Sequence, residues 1–298
     1  MTEKIYYTIN ENTKTIHLTQ SAGFFSCCSV RLNSIVTYFN LYGEFPKTVD
    51  SSHQFFLYKL SEREHEDVTF DFFEKPTNPP QPNPPTPNPP TPNPPKVDYL
   101  ERYQFSQYKN LDYSGITPFI IRYFSPVIKI RTFMEMIEKK YNIKHTNTCV
   151  LFYRGNDKAT ETRLPEYEEY VKVARGIMAE NPNVRFLVQS DETEFIDYIF
   201  QELGGAGEVE GADGTAVERV VLFKDEIRHI NKKTHNSVDN INIADSKDTN
   251  YFYSKLYLAI TVIMSRCNWV VCNTGNCSIW IALYRGTSAG IIQLGEII

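Results

Sequence analysis

The chain contains no run of 18 consecutive apolar residues, so no membrane-spanning helix is predicted. Its start, Met1-Thr2-Glu3-Lys4-Ile5, lacks the basic segment and apolar core of a signal peptide. Basic charge is not in excess. The net charge of -5 and pI of 5.8 argue against a general nucleic-acid binder, which needs a basic face. No Gly-x-Gly-x-x-Gly follows a strand pattern, so the dinucleotide fingerprint is absent. Gly286-Thr287-Ser288-Ala289-Gly290 fits Gly-x-Ser-x-Gly but follows a helix pattern and precedes a strand pattern, the reverse of a nucleophile elbow, so a hydrolase reading lacks support. The six cysteines form no disulfide framework. Cys27 and Cys28 are adjacent and are poorly placed to pair with each other. Cys267, Cys272 and Cys277 run C-x4-C-x4-C, with Cys149 elsewhere, and this lacks the tight ligand pair of a metal site. They read as buried free thiols in a reducing compartment. These absences predict a soluble, cytoplasmic protein with no metal and no resident cofactor.

What is present can build a core. Hydrophobic residues make up 41% of the 298 and charged residues 22%, a globular balance with room for two domains. The 19 Tyr and 19 Phe belong mostly in the core, with some left to stack on a base or a sugar. Prolines are concentrated: 12 of the 17 fall within 76–95, in pentads such as Thr86-Pro87-Asn88-Pro89-Pro90. Such a stretch forms no helix or sheet ladder. It reads as a disordered insertion over 76–96, within a surface loop of the first domain, because loop entropy grows slowly with length. Docking of a proline-binding partner is the weaker reading.

In the first half, strands are predicted over 5–8 and 14–19. The second runs through Gln20-Ser21-Ala22-Gly23-Phe24-Phe25-Ser26 into a helix over 30–40. That loop reads as a turn, with a ligand-facing loop as the alternative. A short strand ends at Asp50, Ser51 and Ser52. Ser125-Pro126 makes a helix start, followed by an amphipathic helix over 127–141.

The second half carries the chemistry. An apolar strand over 149–153 ends abruptly in Arg154-Gly155-Asn156-Asp157-Lys158. A guanidinium, a permissive glycine, a carboxylate and an ammonium within five residues suit a phosphorylated ligand. The other reading is an ordinary strand-to-helix loop with solvated charges. A helix over 166–180 leads to a strand over 184–189, which ends in Ser190-Asp191-Glu192. Ser190 or Asp191 is expected to cap the next helix, over 192–203. A third strand is predicted over 217–223, and a polar loop, read as a lid, over 230–248. A helix over 250–266 precedes a fourth strand over 267–272. That strand opens through Asn273-Thr274-Gly275-Asn276-Cys277-Ser278 into a helix over 279–284. Small polar residues at a helix N-terminus offer N–H groups to a phosphate. A last strand is predicted over 291–294. The pattern predicts an α/β fold with parallel strands.

The Arg154-to-Lys158 segment resembles the donor-binding signature of the α1,6-fucosyltransferases and their rhizobial nodulation relatives, and distantly of the protein O-fucosyltransferases. That signature is His-x-Arg-Arg-x-Asp-Lys. The resemblance runs over residues 120–298. It includes the Phe124-Ser125-Pro126 lead-in, Ser190-Asp191-Glu192 where the family has Thr-Asp-Asp, and the strand-turn-helix over 272–278. It implies a GT-B-like fold, two Rossmann-like domains facing a cleft: an acceptor-side domain over 1–145 and a nucleotide-sugar domain over 146–298. It implies a glycosyltransferase, inverting and metal-independent, moving fucose from GDP-fucose to a glycan acceptor in the cleft. The chain has no Asp-x-Asp triplet, which agrees with metal independence. Arg154 would clamp the donor diphosphate. Asp157, Lys158, Asp191 and Glu192 match donor-side positions, and Asn273, Thr274, Gly275, Asn276 and Ser278 would hold phosphate or ribose. The general base is Glu161 or Asp191. The chain departs from the family at Phe152, in place of His, and at Gly155, in place of the second Arg. Glu161 lies four residues after Asp157 where the family's Glu lies five, and Ile260 falls near the acidic residue that reads guanine. A transferase with another nucleotide sugar, such as a UDP-sugar, and a non-catalytic glycan- or nucleotide-binding protein remain the alternatives.

Overall fold

A computed structural model describes residues 6–76, 96–205, 207–226 and 247–295. Most of the proline-rich insertion and of the expected lid lies outside the described residues.

The chain opens with a hairpin of β1 (Tyr7–Asn10) and β2 (Thr15–Leu18). Helix α1 (Phe24–Tyr42) crosses to β3 (Thr48–Asp50), which pairs parallel with β2. Helix α1 starts six residues before the expected position. Phe24 and Phe25 are both buried, with ring centroids 5.2 Å apart, so the loop read as a turn instead puts its aromatics in the core. Gly43 ends α1 in the left-handed region (φ 67°), its N–H bonded to the Phe39 carbonyl, a conformation glycine adopts without a Cβ penalty.

Two more helices follow, α2 (Tyr113–Tyr123) and α3 (Ile128–Lys140). The expected Ser125 cap is not made. The segment carrying it pairs with 72–74 instead: Glu74 N–H donates to the Ser125 carbonyl (2.8 Å) and Val127 N–H to the Phe72 carbonyl (3.0 Å). The Ser125 hydroxyl turns back to the Ile121 carbonyl at 2.6 Å, so Val127 begins α3 without a side-chain cap.

From there the chain alternates. It runs β4 (Thr148–Tyr153), α4 (Tyr167–Glu180), β5 (Arg185–Ser190), α5 (Thr193–Leu203), the small hairpin β6 (Glu208–Glu210) with β7 (Ala216–Glu218), and β8 (Val220–Leu222). It continues with α6 (Lys247–Arg266), β9 (Trp269–Asn273), α7 (Asn276–Arg285) and β10 (Ile291–Leu294). The strand expected over 217–223 is therefore split. Its first part folds back on β6, and only Val220–Leu222 joins the large sheet.

That sheet is parallel throughout, in the order β8-β5-β4-β9-β10. Val150, Phe152, Leu187, Val270 and Cys272 face the core shared with α6 and α7, whereas Leu151, Tyr153, Phe186, Val188 and Val271 face α4 and α5. With helices on both faces, β4 and β5 are buried at every residue, which is why they read as unbroken apolar runs. Counted from β4, the strand order is 3-2-1-4-5. That is the doubly wound arrangement, and its direction of winding reverses between β4 and β9. Ligands of such sheets bind outside the carboxyl ends of the strands at that reversal.

The first half does not stand apart from this sheet. Apolar residues of β2, α1, α2 and α3 form one continuous core with α6, α7 and a face of β4, β5 and β9. Trp280 on α7 stacks at 5.8 Å on Phe25 and lies 4.7 Å from Phe124. Its indole N–H donates to Ser29 Oγ at 3.0 Å, and that hydroxyl donates to Asn276 Oδ1 at 2.7 Å. Among the described residues, no helix is long and apolar enough to cross a membrane.

Candidate functional site

The reversal between β4 and β9 places two of the sequence motifs against each other. Where β4 ends, Arg154 N–H donates to Asn273 Oδ1 at 3.0 Å, and Asn273 Nδ2 donates back to the Arg154 carbonyl at 2.8 Å. The tips of β4 and β9 are thus cross-braced through a buried Asn. Beyond Arg154 the chain turns through Gly155 into a single 3-10 turn, Asn156–Thr160, which carries Asp157 and Lys158.

The tip of β5 holds this loop. Asp191 pairs with the Arg154 guanidinium through one oxygen and accepts Gly155 N–H at 3.0 Å through the other. Glu192 is fully buried and accepts Asn156 N–H at 2.7 Å and the Tyr167 hydroxyl at 2.6 Å. Neither Ser190 nor Asp191 caps α5 as expected. Glu192 occupies the cap position without a side-chain cap bond, and Ser190 Oγ accepts the N–H of Glu192 at 3.0 Å. Both carboxylates are drawn to the β4 loop, where charge-assisted bonds to N–H groups and a guanidinium are stronger than a neutral cap.

Lys158 is buried and pairs with Glu161 at 2.5 Å. Its side chain runs beside Gly275, where a Cβ would lie 3.3 Å from Lys158 Cε. Gly275 has φ 145°, which favours glycine. The turn after β9 is partly committed to the protein itself. Gly275 N–H approaches the Gln104 carbonyl (3.2 Å) and the Tyr108 hydroxyl (3.1 Å), and Asn276 Oδ1 holds Ser29. Thr274 and Ser278 are buried beside it. So Arg154, Asp191 and Asn273 form one bonded cluster, Glu192 joins it through the backbone of Asn156, and the Lys158–Glu161 pair lies beside Gly275.

Two tyrosines not singled out in the sequence feel the charge of Arg154, and both feel Cys277. Burial raises the Tyr257 hydroxyl pKa well above its ordinary value; the neighbouring Cys277 adds to this, and the Arg154 charge opposes it. Tyr58, from the first half, is raised by burial and then by Cys27, again against the pull of Arg154. Cys277 is only half-buried, whereas the other five thiols are buried. Tyr257 lies within an apolar helix and Tyr58 in an irregular segment, so neither carries a local signal of function. Among the described residues, no three His, Cys, Asp or Glu side chains are grouped to hold a metal ion.

No family model matches the chain, and no curated protein matches it. Among solved structures, it is similar to a crystal structure of NodZ alpha-1,6-fucosyltransferase soaked with GDP-fucose, with 10% identity and a TM-score of 0.33. The match covers 58% of this chain and 47% of that one, so the chain spans about half the length of that structure.

Proposed function

We propose that this protein is a glycosyltransferase that binds a nucleotide sugar at the β4–β9 reversal and transfers the sugar to a glycan. The observation that carries this reading is the placement of Arg154 and Lys158, from the fucosyltransferase-like motif, at the carboxyl ends of the strands where the winding reverses. GDP-fucose is the donor that the motif favours. In the same reading the first-half residues that pack on this sheet form the acceptor side of the site.

Transfer with inversion has to stabilise the leaving diphosphate and deprotonate the acceptor hydroxyl. Arg154 and Lys158 supply the positive charge for the first task, and the reaction as proposed routes no step through a metal. Glu161 suits the second task better than Asp191. Its side chain is 38% exposed at its contact with Lys158, whereas both Asp191 oxygens are engaged. A second reading keeps the fold and changes the donor. It is favoured by Ile260, which is fully buried and uncharged where the family reads guanine with an acid.

The test is release of the nucleoside diphosphate from GDP-fucose and from UDP-sugars, with mixed glycan acceptors. Arg154→Ala and Lys158→Ala should each lower turnover by about 10²–10³-fold, as loss of a charge-stabilising group does. Turnover of a UDP-sugar alone would replace the donor, and undiminished turnover in Arg154→Ala would refute the site.

A further inference from the structure

We infer that Glu192 is a positioning residue that sets Arg154, and is not itself a contact of the donor. This rests on the reading of Arg154 as the diphosphate clamp. Both oxygens of the buried Glu192 carboxylate are engaged within the protein, by Asn156 N–H at 2.7 Å and Tyr167 OH at 2.6 Å. Tyr167 is held in turn by rings: it meets Tyr153 edge-on at 5.2 Å and Phe195 at 5.3 Å. The carboxylate therefore links the loop after β4 to a rigid aromatic cluster under α4.

The loop needs such a link. Asn156 has φ 41°, a left-handed conformation that a non-glycine residue holds only when its surroundings enforce it. Gly155 leaves room for the link: a Cβ there would lie 2.0 Å from Glu192 Oε1. Position 155 is where the resembled signature has its second Arg, so Glu192 fills space that a side chain at 155 would take. One residue earlier, Asp191 accepts Gly155 N–H. Two successive carboxylates just after β5 thus accept two successive N–H groups after β4. Arg154 is fixed on one side by this pair and on the other by Asn273. A buried anion behind the loop can orient the guanidinium, whereas the same anion against a diphosphate would repel it.

The test combines amide hydrogen exchange with titration of GDP-fucose on wild type, Glu192→Ala, Glu192→Gln, Gly155→Ala and the Gly155→Ala/Glu192→Ala double variant. Exchange at Asn156 N–H should accelerate in Glu192→Ala while β4 and β5 amides stay protected, which controls for folding. Affinity for GDP-fucose should fall about 10²-fold, the scale of an ångström-sized misplacement. Glu192→Gln keeps a carbonyl acceptor for Asn156 and should restore protection, with a loss within about tenfold, the scale of one weakened hydrogen bond. Gly155→Ala should resemble Glu192→Ala, and the double variant should be no worse than Glu192→Ala alone, because the clash is gone. Unchanged exchange in Glu192→Ala overturns the proposal. So does a Gln variant as impaired as the Ala variant, which would mean that the charge itself meets the ligand. If wild type binds no GDP-fucose, the donor reading fails while the exchange data still decide whether Glu192 holds the loop.

Discussion

Gln189, two residues before Asp191 on β5, is fully buried, and neither atom of its amide has a hydrogen-bond partner among the described residues. Leaving such a group unsatisfied costs about 1–3 kcal/mol. Gln189→Leu keeps the shape and removes both polar atoms, so it should stabilise the protein by about that amount in a denaturant titration; a destabilised variant would show that the amide is satisfied. Residues such as Gln189 and Glu192 mark the limit of what the sequence discloses. The position of Arg154 and Lys158 at a strand end was legible because abrupt charge after an apolar strand is a local signal. The contacts of Glu192 and Gly275 were not, because their partners lie far away in sequence: Asn156 is 36 residues from Glu192, and Tyr108 is 167 from Gly275.

Among the elements, strands β4, β5 and β9 and helices α4 and α6 were readable from apolar runs and helical periodicity. Helix α2 was not, because Gly115 and Pro118 lie inside it and its start is signalled by one residue only. Asp112 is that residue: its carboxylate accepts Gly115 N–H at 2.9 Å. Asp112→Ala should cost about 1 kcal/mol of stability, as loss of an N-cap does. The Gly115 N–H, more than any other group, holds the Asp112 carboxyl below its ordinary value of 3.8. The unfolded chain therefore takes up this proton at a higher pH than the folded one. The charged cap contributes its full stability above 3.8 and loses it as the pH falls through the lower folded value. Asp112→Asn keeps an oxygen acceptor without the charge, so its deficit relative to wild type should be largest near neutral pH and shrink below 3.8. A deficit that is constant from neutral to acidic pH would contradict a charged cap.

On the scale of the whole molecule, the two halves share a core. The motifs and their order announced the parallel sheet, but how α1 packs on α7 depends on contacts such as Phe25 with Trp280 that no local pattern encodes. Exchange of β2 and β9 amides should therefore report one common unfolding transition, and two separate transitions would show independent halves. Trp280→Ala should lower the stability of both together by about 3–5 kcal/mol. The same packing seats the 56–58 turn of the first half on α6. The central claim is tested most directly by calorimetric titration of GDP, GDP-fucose, UDP and UDP-sugars into wild type and Arg154→Ala. Binding of GDP or GDP-fucose that is lost in Arg154→Ala is the predicted result. No binding of any of these nucleotides by folded wild type would contradict the transferase and leave a non-catalytic glycan-binding protein in its place.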